Sequence, residues 1–234
     1  TAVGAAMLKA LDVSRSMCAT DVDPNRIAAA QEAARQFVDD LPAGTRLGLV
    51  VFSGYAQLAV APTADHDVLV DAINALTTGR GTAVGAAMLK ALDAIAEING
   101  EVKPVGDVAP SGFPGGPPAG GAPAPAPGSA GYVADIVVLL TDGANTRGIA
   151  PLDAVAYAVE RRVRIFTIGF GTQQPTALAC TVEQMAGDVQ RFGGGGFGAG
   201  GLGGARSPLR ADNATLERVA EETGGRFYSA EDAP

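Results

Sequence analysis

The chain has 234 residues, 47% of them apolar, and a formal charge of -8, which is enough apolar material for one α/β core and the wrong sign for a partner whose phosphates must be neutralised by Lys and Arg. No basic cluster appears beyond Arg161, Arg162 and Arg164, read as a solvated helix end, so nucleic acid is excluded; no apolar run reaches the ~20 residues of a membrane-spanning helix, so the chain is expected to be soluble. Two cysteines, Cys18 and Cys180, are too few for a disulfide framework or a zinc site, and the sequence leaves open whether they pair.

Residues 1–12 read TAVGAAMLKALD, and the same letters recur at 82–93. One intact second copy with no third is not an architectural repeat. In the second copy Val84, Met88, Leu89 and Leu92, followed by Ile95, fall at helical spacing. In the first, Lys9 interrupts what should be a nearly continuous apolar central strand, so the reading rests on the chain from Ala10 onward more than on residues 1–9. A first strand ends near Asp12. Asp23-Pro24 then places a capping acceptor and a first-turn proline ahead of an apolar helical face made by Ile27, Ala30, Ala34, Phe37, Val38 and Leu41. Residues 46–53 (RLGLVVFS) form a strand that turns at Gly54 into an edge strand at 57–61. A helix at about 67–76 and a glycine-hinged loop at 78–82 precede a helix running to about Ile98. The proline- and glycine-rich stretch 104–131 reads as a surface insertion. Residues 136–140 (IVVLL) form the strongest strand and lead into Thr141-Asp142-Gly143. A helix at 151–161, a strand at 164–169 and a glycine-rich loop at 193–204 follow. Asp212 caps a last helix, and Phe227-Tyr228 make a short final strand. This alternation predicts a single α/β domain of residues 1–234: a doubly wound, mostly parallel sheet with one antiparallel edge strand and helices on both faces. Its ligand site should lie beyond the carboxyl ends of the strands, where strand order reverses.

Three oxygen-bearing clusters fall at that position: Asp12-Val13-Ser14-Arg15-Ser16 after the first strand, Thr82 at a loop-to-helix junction, and Asp142 at the tip of the IVVLL strand. Alternate side chains of an extended segment face the same way, so Asp12, Ser14 and Ser16 converge. Two carboxylates and three hydroxyls without sulfur or imidazole make a hard oxygen site, suited to Mg²⁺, with Mn²⁺ and Ca²⁺ as alternatives, and unsuited to zinc or copper. The two carboxylates neutralise a divalent ion, and an octahedral shell still needs oxygen, for which an incoming carboxylate is the natural group.

The combination of D-x-S-x-S, a distant threonine and T-D-G resembles the metal-ion-dependent adhesion site of von Willebrand factor A domains, over nearly the whole stretch 10–229. The resemblance implies that Ser14, Ser16 and Thr82 bind the ion directly, that Asp12 and Asp142 act largely through water, and that the ion grips a Glu or Asp of a protein partner. SMCATDVDPNR and TDGANTRGIAP further resemble the bacterial aerotolerance-type subfamily, which implies a soluble portion of a membrane-anchored protein working in a system with a MoxR-type AAA+ ATPase. Lys9 and the two Pro/Gly-rich stretches depart from the family pattern.

Simpler readings account for less. Strand-end capping would explain Asp12 or Asp142 alone but not the accompanying hydroxyls. His66, between Asp65 and Asp67, is read as solvated, and without a second histidine a Ser-His-Asp hydrolase has no support. The enzymatic alternative is Mg²⁺-dependent phosphoryl transfer with Asp12 as nucleophile; it resembles haloacid dehalogenase-type phosphatases, which want an acid where Ser14 stands. A third reading is an interaction scaffold with a structural metal. Binding without catalysis is the expected function.

Overall fold

The computed structural model describes residues 5–42, 44–106, 131–142, 144–171, 177–185 and 212–229. The stretches expected as insertions at 104–131 and 193–204 lie outside them, apart from residues 104–106 and 131.

Four short, β-rich apolar runs become the strands β1 (Ala6–Asp12), β2 (Arg46–Phe52), β4 (Ile136–Thr141) and β5 (Arg164–Gly169). The low exposure of β1, β2 and β4 is that of strands covered on both faces, whereas β5 alternates buried with half-buried residues. Between β2 and β4 in sequence, β3 (Ala56–Thr63) alternates half-buried with exposed residues and pairs antiparallel with β2, as an edge strand with one wet face does. With the short β6 (Phe227–Ser229) the sheet order is β3-β2-β1-β4-β5-β6, and every pairing except β2 with β3 is parallel. The doubly wound sheet with one antiparallel edge is therefore observed as expected. The chain winds outward from β1 to β3, then crosses back to lay β4 on the other side of β1, so strand order reverses between β1 and β4.

Side-chain alternation along β1 divides the core in two. Leu8 and Ala10 pack with Val50, Phe52, Val137 and Leu139 against α3 (Val84–Ala96), α4 (Pro151–Glu160) and α5 (Asn213–Glu222). Leu11 packs with Leu49, Val51 and Leu140 against α1 (Arg26–Asp39) and α2 (His66–Asn74). α1 starts two residues later than Asp23-Pro24 suggests. Asn25 is its cap: the side-chain oxygen accepts from the Ala28 N–H at 3.0 Å, while its amide donates to the Ala179 carbonyl at 2.7 Å. A residue that serves a helix end and a distant carbonyl together outcompetes one that serves the helix alone.

The seven residues AMLKALD are a strand at 6–12 and part of α3 at 87–93. Propensity does not choose between these states; the first copy has β2 and β4 to pair with, and the second has an apolar helical face to bury. Lys9, read as an interruption, thus sits inside the central strand, 2% exposed, with its ammonium 4.4 Å from the centre of the Phe37 ring. Burial pushes its pKa down to about 7. Two other expectations are corrected. Arg161 is buried rather than solvated and donates to the carbonyls of Lys103, Pro104 and Tyr157 at 2.7, 2.9 and 3.0 Å. His66 is half-buried, and its Nε2 is shielded without a hydrogen-bond partner.

Candidate metal centre

Because Leu11 lies opposite Leu140 in the β1–β4 ladder, the residues that follow these two strands emerge side by side at the carboxyl edge of the sheet. Asp12 ends β1 with no exposed surface; one carboxylate oxygen accepts from the Ser14 N–H at 2.7 Å and the other from the Thr141 hydroxyl at 2.6 Å. The chain then makes a single 3₁₀ turn, Arg15–Cys18, that brings the Ser14 and Ser16 hydroxyls to 2.7 Å from each other. Asp142, also without exposed surface, leaves the tip of β4 and accepts hydrogen bonds from Ser16, from the Ala144 N–H at 3.3 Å and from Arg26 Nη1 at 3.3 Å.

Thr82 enters from a third direction. It is buried at the start of α3, on a loop whose Gly79 forms a β-bridge with Ser14 and donates to the Val13 carbonyl at 2.7 Å. The Thr82 carbonyl accepts from the N–H groups of Thr146 and Arg147 at 2.8 and 3.0 Å, and its own N–H donates to the Thr146 hydroxyl at 2.8 Å. Four of the five expected residues therefore interact through their side chains, and Thr82 is tied to both flanks of the group by main-chain bonds. Asn145, two residues before Arg147, caps α3 by accepting from the Val84 N–H at 2.9 Å.

Sequence reasoning gave no role to Asp21 and Arg26, which the fold adds to this centre. Arg26 is fully buried at the first turn of α1, donates to both carboxylate oxygens of Asp21 at 2.7 and 2.6 Å, and reaches Asp142 with its remaining nitrogen. Gly171, at φ +99°, lies against the guanidinium where any Cβ would collide with it. The pair is five residues apart across an irregular turn and leaves no periodic signature; SMCATDVDPNR marked a subfamily and no contact.

Burial, then the neighbouring Asp142 charge, pushes the Asp12 carboxyl up to about 7. Asp142 is likewise raised by burial, against the opposing hydrogen bond from Ser16 and the charge of Arg26. When Asp12 and Asp142 are both ionised, they and Asp21 bring three negative charges to a region with almost no exposed surface, and Arg26 returns one. The remaining excess of two is the charge of one divalent cation, and the donors are carboxylates and hydroxyls, the hard oxygens that Mg²⁺, Mn²⁺ and Ca²⁺ prefer. The residues present fit such an ion. Among the described residues no group of three or more His, Cys, Asp and Glu is placed to hold a metal ion, so a cation here would depend on the hydroxyls as well as the carboxylates.

Cys18 and Cys180, whose pairing the sequence left open, form a disulfide. It straps residues 177–185 beside the centre: Ala19 bridges to Leu178, the Ala179 N–H donates to the Cys18 carbonyl at 2.8 Å, and the Thr78 N–H donates to the Gln184 carbonyl at 2.7 Å. One segment thereby braces both the Ser16 turn and the loop that leads to Thr82.

A family model for the von Willebrand factor type A domain matches residues 7–108, a span that holds Asp12, Ser14, Ser16 and Thr82. Over that span the chain resembles the von Willebrand factor type A family. The chain is 32% identical over 232 residues to a UPF0353 protein of Mycolicibacterium paratuberculosis, an alignment that covers 97% of the chain and 55% of the relative; it spans about half the length of the curated relatives it matches. Among solved structures it is similar to BatB from Bacteroides thetaiotaomicron (TM-score 0.63, 19% identity, 98% of this chain and 92% of that one). It is equally similar to an aerotolerance-related membrane protein from Bacteroides fragilis (TM-score 0.63, 20% identity, the same coverage). At such identities the likeness shows the fold.

Proposed function

We propose that this von Willebrand factor A domain is a non-catalytic protein-binding module that grips an acidic side chain of its partner through a divalent cation. The carrying observation is the cluster of buried acids: Asp12, Asp21 and Asp142 gather beside Arg26 and the hydroxyls of Ser14 and Ser16 in a region with almost no exposed surface. Charges so placed are costly unless paired. On the family pattern Ser14, Ser16 and Thr82 would hold the ion directly and Asp12 and Asp142 largely through water, with Mg²⁺ the proposed ion and Mn²⁺ or Ca²⁺ its alternatives. Bound there, the ion supplies the missing positive charge and a contact for a visiting Glu or Asp carboxylate. Binding is favoured over phosphoryl transfer because both oxygens of Asp12 already accept hydrogen bonds and its side chain has no exposed surface, a poor disposition for a nucleophile.

The likeness to BatB and to an aerotolerance-related membrane protein supports a membrane-anchored parent, working, on the subfamily resemblance, with a MoxR-type AAA+ ATPase. No helix among the described residues is long and apolar enough to cross a membrane. The Cys18–Cys180 bond supports display in an oxidising compartment.

Thermal unfolding with and without metal tests the proposal. Mg²⁺ at a hundred times its dissociation constant should add about 2.7 kcal/mol of stability, seen as a rise in Tm that Asp142→Ala abolishes. No rise, or an equal rise in the variant, overturns it.

A further inference from the structure

Beside the metal centre lies a cleft of about 490 Å³ between the end of β2, its turn at 53–55, and residues 75–80, a volume within the range of about 300–1,000 Å³ usual for ligand sites. Its inner lining includes Val13, Val51, Phe52 and Leu76, all buried and apolar. Its rim carries Tyr55, 66% exposed, and the exposed Arg80 and Arg147. The cleft and the metal centre share a wall, because Val13 stands between Asp12 and Ser14, and Gly79 bridges to Ser14.

Arg147 marks the boundary between them. Its main-chain N–H donates to the Thr82 carbonyl, and its side chain lies across Gly81 and Gly54, where a Cβ on Gly81 (φ +78°) would come within 2.7 Å of Nε. Among the described residues no carboxylate pairs with Arg147. Arg147 on the rim of this cleft, in a chain of formal charge -8, is a local reversal of sign that attracts an anionic partner to this spot.

From this juxtaposition we infer that the cleft is a second recognition pocket for the partner, taking a large apolar or aromatic side chain two positions from the metal-gripping acid, with a further acidic residue on Arg147 and Arg80. The inference rests on the metal-dependent reading for the first acid. In an extended segment residues i and i+2 point the same way about 7 Å apart, which matches two sites sharing a wall. An apolar floor under a cationic rim suits an aromatic residue flanked by acid and discriminates against a purely acidic or a purely apolar segment.

The probe is the blocked hexapeptide Gly-Glu-Gly-Phe-Gly-Glu, in which both acids and the Phe share one face of an extended segment, titrated into the full chain in Mg²⁺ while the backbone amides are followed by NMR. Shifts are expected both at Ser14 and Gly79 and at Gly54, Tyr55 and Thr77. Replacing the Phe by Ala, or making Arg147→Glu, should each weaken binding about tenfold, the loss expected for one unburied apolar side chain or one charge contact. Binding that needs Mg²⁺ but ignores both changes overturns the cleft and leaves the metal reading standing. Binding that persists in EDTA at the cleft amides, together with no Mg²⁺-induced rise in Tm, overturns the metal reading and keeps the cleft. No binding of the peptide at millimolar concentration overturns the inference.

Discussion

Arg26 is the residue on which the metal-free centre depends. Replacing it with Met removes the guanidinium that pairs with buried Asp21 and Asp142, which should cost about 3–5 kcal/mol in EDTA, measured by the urea midpoint; Mg²⁺ should recover part of that loss. Lys9 presents the opposite case, a buried cation held only over an aromatic ring. Its folded pKa, about 7, lies below its ordinary value of 10.5. Between those values the unfolded chain binds more protons, so stability rises as pH is raised from about 7 towards 10.5 and the penalty is fully present below that window. Lys9→Met should be more stable than the parent at neutral pH and should lack this slope, checked by chemical unfolding across pH 7–10. The five candidate donors could be singled out because each belongs to a local pattern: alternation after a strand for Asp12, Ser14 and Ser16, a glycine hinge for Thr82, a strand tip for Asp142. Arg26 and Asp21 were not legible, since a turn without periodicity brings them together. Lys9 was misjudged because the rule that central strands are apolar takes no account of a ring such as Phe37 waiting on the facing helix.

At the level of elements, the crosspiece at 177–185 is the most consequential addition to what the sequence conveyed. It holds no helix or strand of its own, yet it meets the Ser16 turn, the Thr78 loop and the cap of α1 through Cys180, Gln184 and the Ala179 carbonyl. Converting Cys18 and Cys180 to Ser should lower stability by about 2–5 kcal/mol, and amide exchange should quicken at Thr78 and Ala179 before it does in β1 or β4. The start of α1 was misplaced for a related reason: Asp23-Pro24 and Asn25 both carry start signals, and the choice between them is made by a carbonyl more than 150 residues away. The repeated heptad makes the same point. Asp93, in the helical copy, accepts from the Val105 N–H at 2.7 Å and serves a loop, whereas its counterpart Asp12 joins the buried acidic centre.

Over the whole molecule, alternation of strands and helices sufficed to foresee a doubly wound sheet and, through it, the edge at which a site should lie. What it did not convey was adjacency. That β1 and β4 are direct neighbours follows from the crossover between β3 and β4, and this places the chain's two raised carboxylates next to each other. The low-complexity stretches carry no alternation from which a partner strand could be read.

The ladder between β1 and β4 leaves this design little room for drift. Leu11 sits across from Leu140, and Thr141 reaches Asp12 one step later. Sliding either strand by a single position would turn its apolar set to the opposite face and break the meeting of Asp12 with Thr141 in the same stroke. Stability and the proposed ion binding are thereby indexed to one alignment. Descendants of this gene can lengthen or shorten their connecting segments freely, but a codon lost within either strand would forfeit both properties together.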